Sequence, residues 1–195
     1  MPPLKMTSSL RRRVLAGSQP LHKIPPVLKN VVKIPKNVTE WRRILKDITE
    51  AFYQRFWFYN PVKCAPGIFA RRPTMKGSTE IYKCPGGTTQ SFRRFNKTNN
   101  FFKFRYGRGG EFAQGLYAIL RRIGVRCRMV LGYWGGANAL WVEAWNPWTK
   151  RWVALDPAYK HGYGHKFPRK RMLGVIALED TYGFIVNRSN VYNGD

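Results

Sequence analysis

Sulfur and imidazole are scarce in this sequence. Three cysteines (Cys64, Cys84, Cys127) and three histidines (His22, His161, His165) are all it offers for thiol or soft-metal chemistry. A hydrolytic thiol needs a thiolate, a histidine that exchanges protons with it, and a carboxylate that orients the histidine. Here His161 and His165 follow Asp156 in a basic loop, and Cys127 falls after the clearest helix, on a predicted strand. That arrangement makes no triad. Cys64 and Cys84 alone fall short of the four ligands of a structural zinc.

The chemistry present in abundance is cationic. Lys and Arg total 35 against 10 Asp and Glu, a formal net charge of +25 over 195 residues. Such an excess disfavours a free-standing monomer without a polyanionic partner. The chain is nevertheless 44% hydrophobic and 15% aromatic, too rich for a disordered basic tail. No apolar run approaches the length of a membrane-spanning helix. An odd number of cysteines makes no secreted disulfide scaffold and favours a reducing compartment.

Residues 1–39 hold eight cations and no acid, and prolines break them too often for a long helix. This arm resembles a mitochondrial targeting segment, or serves as an RNA-binding extension. Residues 51–110 hold twelve cations and one acid, Glu80. The expected phosphate contacts are Arg11, Arg12, Arg13, Lys23, Lys33, Arg71, Arg72, Arg93, Arg94, Lys103, Arg105, Arg121, Arg122, Lys150, Arg151, Lys166, Arg169, Lys170 and Arg171.

Periodicity supplies the elements that must carry these residues. Trp41, Ile44, Leu45, Ile48 and Phe52 predict a helix from Trp41 to about Phe58, with Thr39 as its N-cap. Residues 60–88 read as loop. Phe102, Phe104 and Tyr106 alternate with Lys103 and Arg105, which predicts a strand. Phe112, Leu116, Ile119, Leu120 and Ile123 predict a helix over 110–123, ended by Gly124. Strands are expected near 127–133, 139–145 and 152–155, with a final pair near 175–178 and 183–186. The turn Asn146-Pro147-Trp148-Thr149-Lys150 joins two of them. A helix followed by an antiparallel sheet is an α+β arrangement.

Four ordered blocks carry a resemblance. They are Gly107-Arg108-Gly109-Gly110-Glu111-Phe112-Ala113, Ile123-Gly124-Val125-Arg126-Cys127-Arg128, Leu140-Trp141-Val142-Glu143 and Arg151-Trp152-Val153-Ala154-Leu155-Asp156-Pro157. Together they resemble the core of peptide:N-glycanases, in the transglutaminase-like superfamily. That family reads G-R-C-G-E-W-A, H-V-W-T-E and R-W-x-x-x-D at the first, third and fourth blocks. The resemblance implies a papain-like core, a central helix on an antiparallel sheet, spanning 40–195 behind the basic arm.

It also implies what is missing. The family's catalytic cysteine falls at Gly109 and its histidine at Ala139, so only Asp156 of the triad remains. A pseudoenzyme is expected, without cofactor or small-molecule substrate. The family's zinc knuckle of two C-x-x-C pairs is reduced to Cys64 and Cys84. A metal completed by a histidine or a neighbouring chain, a disulfide, and two leftover buried thiols are the readings weighed. Two leftover thiols are the default, with no metal.

The expected function is a non-catalytic structural protein of a large ribonucleoprotein, above all a mitochondrial ribosome. Its partners would be ribosomal RNA and neighbouring ribosomal proteins, with no membrane. The alternative is DNA-damage recognition in the nucleus, because the Rad4/XPC repair proteins resemble the same superfamily and lack the triad. Those proteins read DNA mainly through later domains, which the stretch ending at Asp195 is not expected to hold.

Overall fold

A computed structural model describes residues 21–59, 62–70, 73–95, 97–134, 137–158, 173–180 and 186–188. Helix α1 runs Val38–Arg55. Its N-cap is Asn37 rather than Thr39: the Asn37 side chain accepts from the Glu40 N–H at 2.9 Å. Asn outranks Thr at this position because its oxygen reaches the third helical N–H with little strain. The helix buries the predicted stripe of Trp41, Ile44, Leu45, Ile48 and Phe52. It ends where Phe56 turns extended, three residues before the boundary read from the pattern.

Of the basic segment 1–39, residues 1–20 lie outside the described residues. Leu21 and Leu28 are buried in the main core, and Val27, Val31 and Val32 pack against it. Arg55 fixes this segment to α1, donating from Nη1 to the Val27 carbonyl and to Asn30 Oδ1, each at 2.7 Å.

The stretch read as loop forms short strands instead. They are β2 (Lys63–Ala65), β3 (Ile68–Phe69), β4 (Thr74–Lys76) and β5 (Thr79–Lys83), while β1 (Trp57–Phe58) takes the last two positions read as helix. Strand β6 (Thr89–Arg93) completes the antiparallel sheet β4-β5-β6, and β2 pairs with β3. These strands are mostly exposed and only two to five residues long, too short to show a period. Cys64 and Cys84 form a disulfide across them, with Cα atoms 5.7 Å apart. This corrects the reading of two leftover thiols. Pairing depends on backbone proximity, and a compartment argument drawn from cysteine count does not see it.

The run at 101–106 is also corrected. Helix α2 covers Thr98–Phe104, Arg105 takes a left-handed backbone, and β7 (Tyr106–Gly107) pairs in parallel with β1. Phe101 and Phe102, adjacent in sequence, are both buried while Phe104 is half exposed. Burying adjacent residues suits one face of a helix and contradicts a two-residue alternation.

Helix α3 is Gly109–Arg122 and buries Phe112, Ala113, Leu116, Tyr117, Ile119 and Leu120. Gly115 is required there. A Cβ on it would sit 2.7 Å from the Phe101 ring, so its absence lets α2 close onto α3. Gly124, at φ +77°, ends the helix.

The last five strands make one antiparallel sheet in the order β10-β9-β8-β11-β12. They are β8 (Cys127–Trp134), β9 (Ala137–Asn146), β10 (Arg151–Leu155), β11 (Leu173–Asp180) and β12 (Val186–Arg188). Helix α3 packs on β8 and β9. The fold is therefore α+β, a central helix on an antiparallel sheet, with a small strand-rich annex closed by the disulfide. No helix among the described residues is long and apolar enough to cross a membrane.

Candidate functional site: a cationic surface

The resemblance puts the family's cysteine position at Gly109, which is the first residue of α3. A Cβ built on Gly109 meets no heavy atom within 4 Å, so the position is open. Just inside it, Glu111 closes the first turn by accepting from the Arg108 N–H at 3.1 Å. Negative charge suits this end of a helix, where free N–H groups and the helix dipole are positive.

Glu111 is buried and reaches beyond its own helix. Arg94, at the end of β6, donates from Nε to Glu111 Oε1 at 2.5 Å and from Nη2 to Oε2 at 3.1 Å. The same guanidinium donates from Nη1 to Glu80 Oε1 at 3.1 Å, and Arg108 donates to that oxygen at 2.7 Å. Tyr59 and Tyr82 donate their hydroxyls to Glu80 Oε2 at 3.0 and 3.1 Å. Burial works against the charge on Glu80, but Arg108 and Arg94 outweigh it and hold the carboxyl below its usual range. Burial, with Glu80 beside it, pushes the Tyr82 hydroxyl up to about 12, so it stays a donor at neutral pH.

The network turns Arg94 inward, which removes it from the set of free phosphate contacts. Sequence reasoning missed Glu80, Glu111, Arg108, Tyr59 and Tyr82 as one unit. The available signal was the single acid among twelve cations, because a lone buried carboxylate must be paired.

The other two positions inherited from the resemblance lie on the sheet. Ala139 is on β9 opposite Gly132 of β8. Asp156 follows the Leu155–Val142 pair of β10 and β9. It is buried, and its Oδ1 accepts from the Ala158 N–H at 3.0 Å. Burial pushes its carboxyl from an ordinary 3.8 up to about 7. Cys127 is buried at the start of β8, its sulfur 3.9 Å from the Tyr117 carbonyl. His161 and His165 lie outside the described residues.

A second buried pair spans the sheet. Arg128 and Glu143 face each other on β8 and β9, with Nε donating to Oε2 at 2.6 Å. The Arg128 guanidinium also lies 3.8 Å from the Trp152 ring centroid.

These pairs decide the character of the surface. Between Phe56 and Ala158 the sequence has four acids, Glu80, Glu111, Glu143 and Asp156. All four are buried. Over the same stretch Lys63, Lys76, Lys83, Arg93, Lys97, Lys103, Arg105, Arg122, Lys150 and Arg151 are exposed. Arg121 is half buried beside the Tyr117 ring. Lys23 and Lys33 are exposed on the N-terminal segment. Arg11, Arg12, Arg13, Arg71, Arg72, Lys166, Arg169, Lys170 and Arg171 lie outside the described residues. Groups of three or more His, Cys, Asp or Glu able to hold a metal are absent among the described residues.

Residues 81–157 match the transglutaminase-like superfamily. A peptide-N(4)-(N-acetyl-beta-glucosaminyl)asparagine amidase of Kluyveromyces lactis is 33% identical over 81 residues, 41% of this chain and 22% of that protein. The amidase of Candida glabrata is 27% identical over 130 residues, 58% of this chain and 36% of that protein. The chain thus spans about a fifth to a third of the length of these curated relatives. Among solved structures, Rad4-Rad23 bound to a 6-4 photoproduct UV lesion aligns with 96% of this chain and 44% of that chain. Its TM-score is 0.46 at 14% identity. The similarity to transglutaminase-like proteins, the peptide N-glycanases among them, thus centres on residues 81–157, from β5 to the turn after β10.

Proposed function

We propose that this chain is a non-catalytic, RNA-binding structural protein of a large ribonucleoprotein, built on a glycanase-like fold. A mitochondrial ribosome is the proposed particle, with ribosomal RNA and neighbouring ribosomal proteins as partners. The observation that carries the reading is the burial of every carboxylate between Phe56 and Ala158. Surface cations usually have acidic neighbours that screen them. This stretch itself brings no acid to the surface, although Asp47 and Glu50 are exposed on α1, and phosphate is a fitting counter-charge for its cations.

Catalysis by the family's route has no reactive groups to use. Gly109 and Ala139 supply neither thiol nor imidazole, and Asp156 alone has no nucleophile to orient. What this geometry offers an RNA is shape and positive potential, directed at the backbone rather than at base edges.

Salt dependence of binding tests the reading. Neutralising about six phosphates of a single strand gives a slope of about −4 in log K against log salt. A flat dependence would overturn the proposal, and so would a preference for mismatched duplex DNA over structured RNA. In extracts, the tagged chain should sediment with mitochondrial ribosomal particles at moderate salt. Glycan release from a denatured glycoprotein would show that the domain is an enzyme after all.

A further inference from the structure

At the opposite end of α3 from Gly109 lies a groove of about 380 Å³, at the small end of the range for ligand sites. Apart from Trp41 of α1, its walls come from three separate segments: Ile34 and Pro35, residues 123–126 after α3, and Trp145 to Trp148 at the end of β9 and the turn after it. Trp41, Trp145 and Trp148 supply its aromatic surface.

The turn that presents Trp148 is firmly built. Buried Asn146 accepts at Oδ1 from the Trp148 N–H at 3.0 Å and the Thr149 N–H at 3.2 Å. Lys150 then takes a left-handed backbone, and Arg151 pairs with Asn146. Trp148 keeps 44% of its surface exposed on this fixed turn. Arg126 also lines the groove, its guanidinium 5.1 Å from the Trp145 and Trp152 ring centroids, within cation–π range.

Each wall segment is bracketed by cations in the sequence. Lys33 and Lys36 flank the first, Arg122 precedes the second, and Lys150 and Arg151 follow the third. All five are exposed. The nearest acid in the first segment, Glu40, is engaged in the cap of α1, accepting from the Lys36 N–H at 3.0 Å. An aromatic slot lined by Arg126, with exposed cations next in sequence to its wall segments, matches a chain whose flat apolar rings alternate with phosphates.

We infer that this groove takes one unstacked base of single-stranded RNA against Trp148, with the flanking phosphates on the rim cations. This inference rests on the RNA-binding reading and adds to it a place where stacking, and not charge alone, holds the strand. A peptide would need acidic residues around an aromatic or proline anchor to fit the same rim.

The test measures affinity of the full chain for a short single-stranded RNA across a range of salt. Trp148→Ala should weaken binding about tenfold without changing the salt slope, and Trp148→Phe should keep most of the affinity. Lys150→Gln should instead reduce the slope by about 0.7. Ultraviolet cross-linking should place the RNA on the peptide that contains Trp148. Unchanged affinity in Trp148→Ala, with wild-type salt dependence intact, would overturn the groove and leave general RNA binding standing. Absence of salt-dependent RNA binding by the wild type would overturn both. A free mononucleotide binding as tightly as the strand, or an acidic peptide displacing it through Trp148 alone, would show a different occupant.

Discussion

Arg94 Nε lies 2.5 Å from Glu111 Oε1, joining the end of β6 to the first turn of the central helix. Residues 17 positions apart thereby tie the strand-rich annex to the main core, two residues along α3 from Gly109. The four-charge cluster around them neutralises itself, so its role is structural.

Breaking that cluster leaves a buried carboxylate without its partner. Arg94→Leu is expected to lower stability by about 3 kcal/mol, the low end for a buried pair because Arg94 is partly exposed. Urea unfolding measures it. A loss below about 0.5 kcal/mol, the range of an ordinary surface substitution, would show that the cluster holds nothing together.

Asp156 gives stability an unusual pH dependence. Its carboxyl is raised from 3.8 to about 7 in the folded protein, so between those values the folded state binds a proton that the unfolded state has released. Its contribution is therefore full below about pH 4 and is lost as pH rises through about 7. Asp156→Asn should lack this loss and gain on the wild type as pH climbs from 4 to 8. Melting temperatures of the two proteins across that range check it; parallel curves would contradict it. Glu80, held low by its arginines, acts in the opposite sense and destabilises the fold only as pH falls below the carboxylate range.

The Cys64–Cys84 bridge closes a loop of 20 residues. Its reduction should cost about 3 kcal/mol by the loop-closure estimate. Dithiothreitol should lower the melting temperature of the wild type and leave that of Cys64→Ser unchanged. Equal responses would mean that the bridge is not the clip of the annex.

Gly109→Cys should fold as the wild type does, because no heavy atom stands within 4 Å of the added Cβ. The helix N-terminus should lower the new thiol below the ordinary 8.5. Alkylation rates against pH would show this, with buried Cys127 as the slow internal reference. A thiol titrating at or above 8.5 would mean that the helix end has lost its influence at this position.

Legibility in the sequence followed the strength of the local period. Helix α3 was predicted over 110–123 and is found at Gly109–Arg122, because its apolar stripe spans three turns. The strands at 127–133, 139–145 and 152–155 were found a residue or two longer at their ends, in β8, β9 and β10. The run at 101–106 misled because α2 is seven residues long, too short for a helical period to outvote an accidental alternation. Gly109, Ala139 and Asp156 were placed by motif. The partners of Glu80 were not, because they depend on how β5 and β6 sit against α3, which no local pattern encodes. The groove at Trp148 escaped for the same reason: its three walls are distant in sequence.

Hiding every carboxylate of the central stretch has a consequence for how copies of this protein meet one another. Two copies meeting through such surfaces oppose like with like, which resists self-association. On the proposed RNA-binding reading, the number of copies gathered on one strand is then set by the length of that strand rather than by any contact between neighbours.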